Sequence, residues 1–217
     1  MTYYQDIFED AGNAIFRAET PDAIAAIRRP SCAATIWQRK PTTRFQSWID
    51  ALPPEQLPSA RIVLRAEMVG AALLNMAEAH GTPEGPERDL LIEDVSALAA
   101  IFADVMRVKY VRLRLETVTG NACRKFHLDA VTGRLICTYR GPGTQYGTAV
   151  TGTAPHRIHA VPTGAPIVLR GTHWPEKPLS GLLHRSPPIE GTGRVRFVLV
   201  LDPVDDPAQA TNTGFMH

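Results

Sequence analysis

The feature that most constrains this chain is a change of hydrophobic period near residue 107. Before it, apolar residues recur mostly at helical spacing. "PDAIAAIRR" begins with Pro21 in a first turn and Thr20 as its cap. "TTRFQSWIDAL" reads as a second short helix, and "EMVGAALLNMAEAHG" as a third that Gly81 ends. In "ERDLLIEDVSALAAIFADVM", Leu91, Val95, Leu98, Phe102 and Val105 share one helical face. Glu87 and Asp89 stand in its first turn, where acids suit the helix dipole. A short strand in "ATIWQRK" is placed to join a sheet formed later in the chain.

From Lys109 the period is two. "KYVRLRLETVTG" alternates Tyr110, Arg112, Arg114 and Glu116 with Val111, Leu113, Leu115 and Thr117, a half-buried strand with one polar face. "GRLICTYRG", "APIVLRG", "SGLLHRS" and "GRVRFVLVLDP" follow as strands between turns rich in Gly and Pro. "YGTAVTGTAPHRIHAVPTGAP" reads as a long irregular loop over a site. Helices followed by many short strands predict an α+β fold, with a mainly helical N-terminal half packed on a β-sandwich or barrel core. No repeat, linker or low-complexity segment divides the chain. The expectation is one domain over 1–217, with a helical flank to 106, a β core over 107–203 and a tail from 204.

A chain of 217 residues is long enough to bury a core without disulfides or structural metals. A formal charge of +1 and no basic run give no electrostatic case for nucleic acid or an acidic membrane surface. The longest apolar stretch, "MVGAALLNMA", is too short to span a bilayer. The N-terminus lacks a basic region and carries Asp6, Glu9 and Asp10, which argues against a signal peptide. Cys32, Cys123 and Cys137 cannot all pair within one chain, which points to a reducing, cytoplasmic setting. Chemistry on a small-molecule or peptide substrate is the class that remains.

Two short segments carry the chemical signal. In "CRKFHLD", His127 and Asp129 are two apart, so on a strand both side chains leave by the same face. An imidazole and a carboxylate are two of the three ligands of a 2-His-1-carboxylate facial triad, which holds Fe(II) and leaves positions open. The same pair also fits two polar residues on an ordinary strand. In "LLHRSPPIEGTGRVRF", His184 closes an apolar strand, and a turn leads to Arg194 and Arg196. A buried arginine on a strand needs an anion, and a guanidinium fork matches a carboxylate.

"FHLD" together with "HRSPPIEGTGRVRF" resembles the iron- and 2-oxoglutarate-dependent dioxygenases, over about residues 107–203. That resemblance implies a double-stranded β-helix (jelly-roll, cupin-like) core with flanking helices. It implies His127, Asp129 and His184 as ligands of Fe(II), and Arg196 or Arg194 as the anchor for 2-oxoglutarate. Arg196 is preferred because it sits deeper in the apolar strand. The fuller pattern, "CRKFHLD", "LICTYRGPGTQY" and "LLHRSPP" ending in "VLVLDP", is similar to a bacterial family known as domain of unknown function 1826. Its members tend to lie near zinc-homeostasis genes, which implies a metal-related role.

Further residues leave alternatives open. Cys123 is either a fourth ligand, closing a tetrahedral zinc site without oxygenase activity, or a thiol with no role. Tyr139, Arg140 and Tyr146 flank "GPG", where Gly141 and Gly143 permit a tight turn and close approach to a ligand. A tyrosine hydroxyl there either touches a cosubstrate carboxylate or packs in a hairpin. Arg112 and Arg114 line a polar pocket if their face is inside, and are solvated if it is outside. His156, His159, His173 and Trp174 read as loop residues, and Cys32 and Cys137 as core. No Gly-x-Ser-x-Gly, His-Glu-x-x-His, Cys-x-x-Cys or P-loop pattern supports a hydrolase, zincin or nucleotide-binding reading.

Overall fold

The computed structural model describes residues 14–149, 154–176 and 179–210. The second half supplies β4 (Tyr110–Val118), β5 (Gly133–Arg140), β6 (Gln145–Thr148), β7 (His159–Ala160), β8 (Pro166–Arg170), β9 (Leu182–Arg185) and β10 (Arg196–Val204). β4, β5, β8 and β10 enter one sheet, while β6, β7 and β9 form a second. His127 pairs with His184 beside β9, extending the smaller sheet by one bridge. The chain thus passes repeatedly between two sheets, which is jelly-roll winding. It places the polar face of β4 and the alternate residues of β5 and β10 between the sheets.

The N-terminal half differs from the mainly helical expectation. It contributes β1 (Ala14–Ala18), β2 (Cys32–Trp37) and β3 (Ala60–Arg65). These extend the larger sheet at both edges, in the order β1-β2-β8-β5-β10-β4-β3. "ATIWQRK" does contain a strand, β2, which pairs with β8. β3 was not legible because its residues are mostly exposed or half-buried, so no clean alternation marks it. "PDAIAAIRR" forms a 3-10 helix over Pro21–Arg28, and Thr20 makes no side-chain cap. The three α-helices fall where the spacing placed them: α1 (Thr43–Ala51), α2 (Val69–Ala79) and α3 (Pro86–Met106). Gly81 follows α2 with a φ of 64°, a left-handed turn that glycine adopts without strain.

The helices cover the outer face of the larger sheet. Leu91, Val95, Leu98 and Phe102 of α3 join Val111, Leu113 and Leu115 of β4 and Phe197, Leu199 and Leu201 of β10 in one core. A fully buried side chain of this size contributes about 1.5–3 kcal/mol, and Phe45 and Ile49 of α1 and Val69 and Leu73 of α2 join the same core. A smaller core lies between the sheets, with Ile136, Ile167 and Val198 against Tyr146 and Leu182. The "YGTAV…TGAP" segment is not wholly irregular: it holds β6 and β7, although 150–153 lie outside the described residues. The tail begins inside β10 and continues into the short α4 (Pro207–Ala210). Nearly all of the N-terminal stretch used to argue against a signal peptide also lies outside the described residues. Among the described residues, no helix is long and apolar enough to cross a membrane.

Candidate metal centre

His127, Asp129 and His184 converge between the sheets. Each offers a ligand atom within 4.8 Å of the others. His127 and His184 are direct cross-strand partners: each backbone N–H donates to the other's carbonyl, at 3.0 and 3.1 Å. That pairing sets their side chains on one face, with ring centroids 4.6 Å apart. Asp129 arrives differently from the expectation, because it stands in an irregular segment after the His127 bridge and not on a strand. Its carbonyl accepts from Thr172 at 2.9 Å. Gly171 lets that backbone approach: a Cβ there would lie 1.9 Å from the Val131 carbonyl oxygen.

The donor set suits a cation. His127 Nδ1 lies 2.8 Å from the Lys125 carbonyl. A carbonyl only accepts, so Nδ1 carries a proton, and Nε2, 3.4 Å from Asp129 Oδ1, is the nitrogen left to bind a cation when the ring is neutral. His184 Nε2 is 3.0 Å from Asp129 Oδ2. Even so, Asp129 Oδ2 is buried without an aligned hydrogen bond, and so is His184 Nδ1. Two donors at right angles on an ion about 2.1 Å away stand about 3.0 Å apart. The three residues are therefore close enough to hold one metal ion.

Two further charged side chains, Arg134 and Asp202, fix the carboxylate. Arg134 on β5 donates to Asp129 Oδ1. Its Nε and other terminal nitrogen donate to both oxygens of Asp202 on β10, at 2.6 and 2.8 Å. Burial raises the Asp129 carboxyl, but the contacts with His127 and His184 and the charge of Arg134 outweigh it, holding it well below the usual carboxylate range. The Asp129 contact raises His127, partly offset by burial. Burial lowers His184 against the pull of Asp129. Neither Arg134 nor Asp202 was singled out from sequence. The available signal was a charge in an otherwise apolar strand, Asp202 in "VLVLDP".

A cavity of about 110 Å³ adjoins the group, lined by His127, His184, Arg114, Glu116, Arg196 and Ser186 among others. Arg196 is 2% exposed and has no acidic partner among the described residues. Its Nε donates to the Pro142 carbonyl at 2.7 Å. Its terminal nitrogens donate to the hydroxyls of Ser186 at 3.2 Å and Thr138 at 3.3 Å. Burial pushes its guanidinium down to about 10.

The other residues singled out from sequence divide. Arg114 faces inward and lines the cavity. Arg112 belongs to the same alternating face of β4. Cys123 is exposed and lines the same cavity, but it does not join the three-residue group. Arg194 does not share the face of Arg196. It precedes β10, in an exposed turn where its backbone N–H donates to Thr192 Oγ1.

Tyr139 lies on the opposite face of β5 from Arg134, and its hydroxyl donates to Asp94 of α3 at 2.6 Å. It therefore faces the helical core and not a cosubstrate. Arg140 donates to the Leu52 carbonyl at 2.6 Å, tying β5 to the end of α1. Tyr146 is buried between the sheets and stacks on His159. The glycines of "GPG" admit backbone and not ligand: a Cβ on Gly143 would meet the Val161 carbonyl oxygen at 1.8 Å. His156 and His173 are exposed, while Trp174 is buried beneath Arg170. Cys32 and Cys137 are core.

Residues 18–202 match the family described as "Protein of unknown function (DUF1826)". The chain belongs to this family. No curated protein matches this DUF1826 chain. Among solved structures, it is similar to dioxygenase for auxin oxidation 1 from Arabidopsis thaliana, in its 2-oxoglutarate binary complex. The identity is 10%, over 89% of this chain and 93% of that one, with a TM-score of 0.53. It is also similar to the dioxygenase for auxin oxidation in rice, at 10% identity over 88% and 83% of the two chains and a TM-score of 0.50. An oxidoreductase of the 2OG-Fe(II) oxygenase family from Burkholderia pseudomallei matches at 16% identity over 90% and 97%, with a TM-score of 0.47. At such identities the two dioxygenases show a common fold. This DUF1826 chain therefore shares the fold of these two dioxygenases, and its His127, Asp129 and His184 are grouped so that they could hold a metal ion.

Proposed function

We propose that this chain is a non-haem Fe(II)- and 2-oxoglutarate-dependent oxygenase. The observation that carries the reading is Arg196: a buried guanidinium with no acid partner among the described residues lines the same cavity as His127 and His184. An arginine so placed is costly unless an anion completes it. In this reading His127, Asp129 and His184 hold Fe(II), and Arg196 pairs with the distal carboxylate of 2-oxoglutarate. The metal and cosubstrate together supply the oxygen-activating chemistry. The chain supplies orientation. Arg134 holds the Asp129 carboxylate in place, Ser186 and Thr138 aim the Arg196 fork, and Ile136, Val198 and Val200 keep that part of the cavity apolar. Cys32, Cys123 and Cys137 are all free, which suits a reducing compartment such as the cytoplasm.

Calorimetric titration of 2-oxoglutarate into metal-loaded protein tests this. Arg196→Gln is expected to weaken binding about 30-fold or more, the loss of about 2 kcal/mol for one buried charge pair. Absence of binding to the wild type, or equal binding to the variant, contradicts the reading.

One observation favours a second reading, a cupin-like zinc-binding protein linked to zinc handling. Cys123 lines the cavity, and its backbone carbonyl accepts from Ser186 at 2.9 Å, two residues beyond His184. A small movement of this segment would bring a thiolate to the metal and close the site. Cys123→Ser would then weaken zinc sharply, and unchanged affinity removes the reading.

A further inference from the structure

Two charged side chains in the cavity are not used by the metal and cosubstrate reading. Arg114 and Glu116 stand two residues apart on β4, so their side chains leave one face about 7 Å apart at their roots. Both line the cavity that holds His127, His184 and Arg196. Arg114 is poorly paired. Its closest acid is Asp202 at 3.6 Å, and both Asp202 oxygens already accept from Arg134. The Arg114 Nε is buried without a hydrogen-bond partner among the described residues. Burial and the neighbouring Arg134 charge both disfavour its cationic form. The Glu116 side chain makes no hydrogen bond or close ion pair with a described residue, and it faces Arg114 electrostatically.

We infer that Arg114 and Glu116 receive the zwitterionic head of a free α-amino acid, the carboxylate on Arg114 and the ammonium on Glu116. This assignment rests on the oxygenase reading and names the substrate class of that same site. A simple carboxylate would gain Arg114 but meet the Glu116 charge, and a simple amine would meet the reverse. A molecule carrying both groups on one carbon satisfies both. A peptide carries them at opposite ends and does not. Val118, Val198 and Val200 line the same space, so the side chain of the amino acid is apolar.

The test is calorimetry on the full chain, loaded anaerobically with Fe(II) and saturated with 2-oxoglutarate. The probes are L-valine and L-leucine, with 4-methylpentanoate and 3-methylbutylamine as analogues of leucine lacking one charge each. At least one amino acid is expected to bind, with each single-charge analogue 10-fold or more weaker than leucine. Arg114→Gln is expected to weaken the amino acid 10-fold or more and leave 2-oxoglutarate affinity unchanged. Glu116→Gln, at a half-buried position that tolerates an isostere, should weaken the amino acid but not 4-methylpentanoate. Analogues that bind as well as leucine overturn the assignment, as does absence of amino-acid binding. Equal losses of amino acid and 2-oxoglutarate in Arg114→Gln also overturn it, since Arg114 would then serve the cosubstrate. Normal 2-oxoglutarate binding in those cases leaves the oxygenase reading standing. A wild type that binds no 2-oxoglutarate overturns that reading and this assignment together.

Discussion

His184 Nε2 and Asp129 Oδ2 lie 3.0 Å apart, and Oδ2 is buried without a well-formed hydrogen bond among the described residues. Two donors to one metal ion stand at about this separation. Asp129→Asn removes the anionic donor and keeps the shape. It is expected to lower metal affinity by about 100-fold or more, beyond the roughly 10- to 100-fold typical of changes to residues that only orient a ligand. Competition against a chelator of known affinity measures this.

Arg134 connects the carboxylate of the site to a second, buried one. Asp202 is 2% exposed and accepts two bonds from Arg134. Asp202→Asn leaves the arginine half-compensated in a buried setting, which is expected to destabilise the fold by about 3 kcal/mol. It should also reduce metal affinity about 10-fold, because Asp129 loses its fixed orientation. Urea midpoints and metal titration of the same variant separate the two effects.

Tyr139 supplies the contrast. Its hydroxyl is buried against Asp94, which also receives both terminal nitrogens of Arg39. Tyr139→Phe leaves that carboxylate with one partner fewer and is expected to cost about 1–3 kcal/mol of stability. Metal and 2-oxoglutarate affinity should stay unchanged, because the residue faces the helices. A loss of 2-oxoglutarate affinity equal to that of Arg196→Gln would return Tyr139 to the site.

What sequence reading reached here was whatever repeats locally. The alternation of β4 placed Arg114 and Glu116 on one face, and the register of β10 with β4 carried Arg196 to that same interior. The spacing of α3 identified the residues that bury against the sheet. Relationships made only by folding stayed out of reach. Arg134 and Asp202 are separated by 68 positions, and neither has a local feature that names the other. Tyr139 and Arg134 lie on one short strand, and only the identity of the layer above each face separates a core tyrosine from a site arginine. Asp129 reached the histidines through backbone contacts with Thr172 and Gly171, not through the strand alternation that suggested it.

The two histidines are shifted in opposite directions in the metal-free protein. His127 is raised above 6.5 by Asp129, so its contribution is fully present below 6.5 and is lost as pH rises through the raised value. His184 is lowered below 6.5 by burial, so stability falls as pH drops from 6.5 toward its lowered value. Asp129 stays ionised throughout this window, since its carboxyl is held below the usual range. The metal-free wild type should therefore show a stability maximum near 6.5. The maximum should flatten in the His127→Gln, His184→Gln double variant, as followed by urea midpoints between pH 5 and 8.

The most direct measurement adds 2-oxoglutarate to the Fe(II)-loaded protein under anaerobic conditions and records the visible absorption spectrum. The account predicts a metal-to-ligand charge-transfer band in the wild type. The band should be absent in His127→Ala and should need far more 2-oxoglutarate in Arg196→Gln. A wild type that holds Fe(II) stoichiometrically and shows no band at saturating 2-oxoglutarate would contradict it.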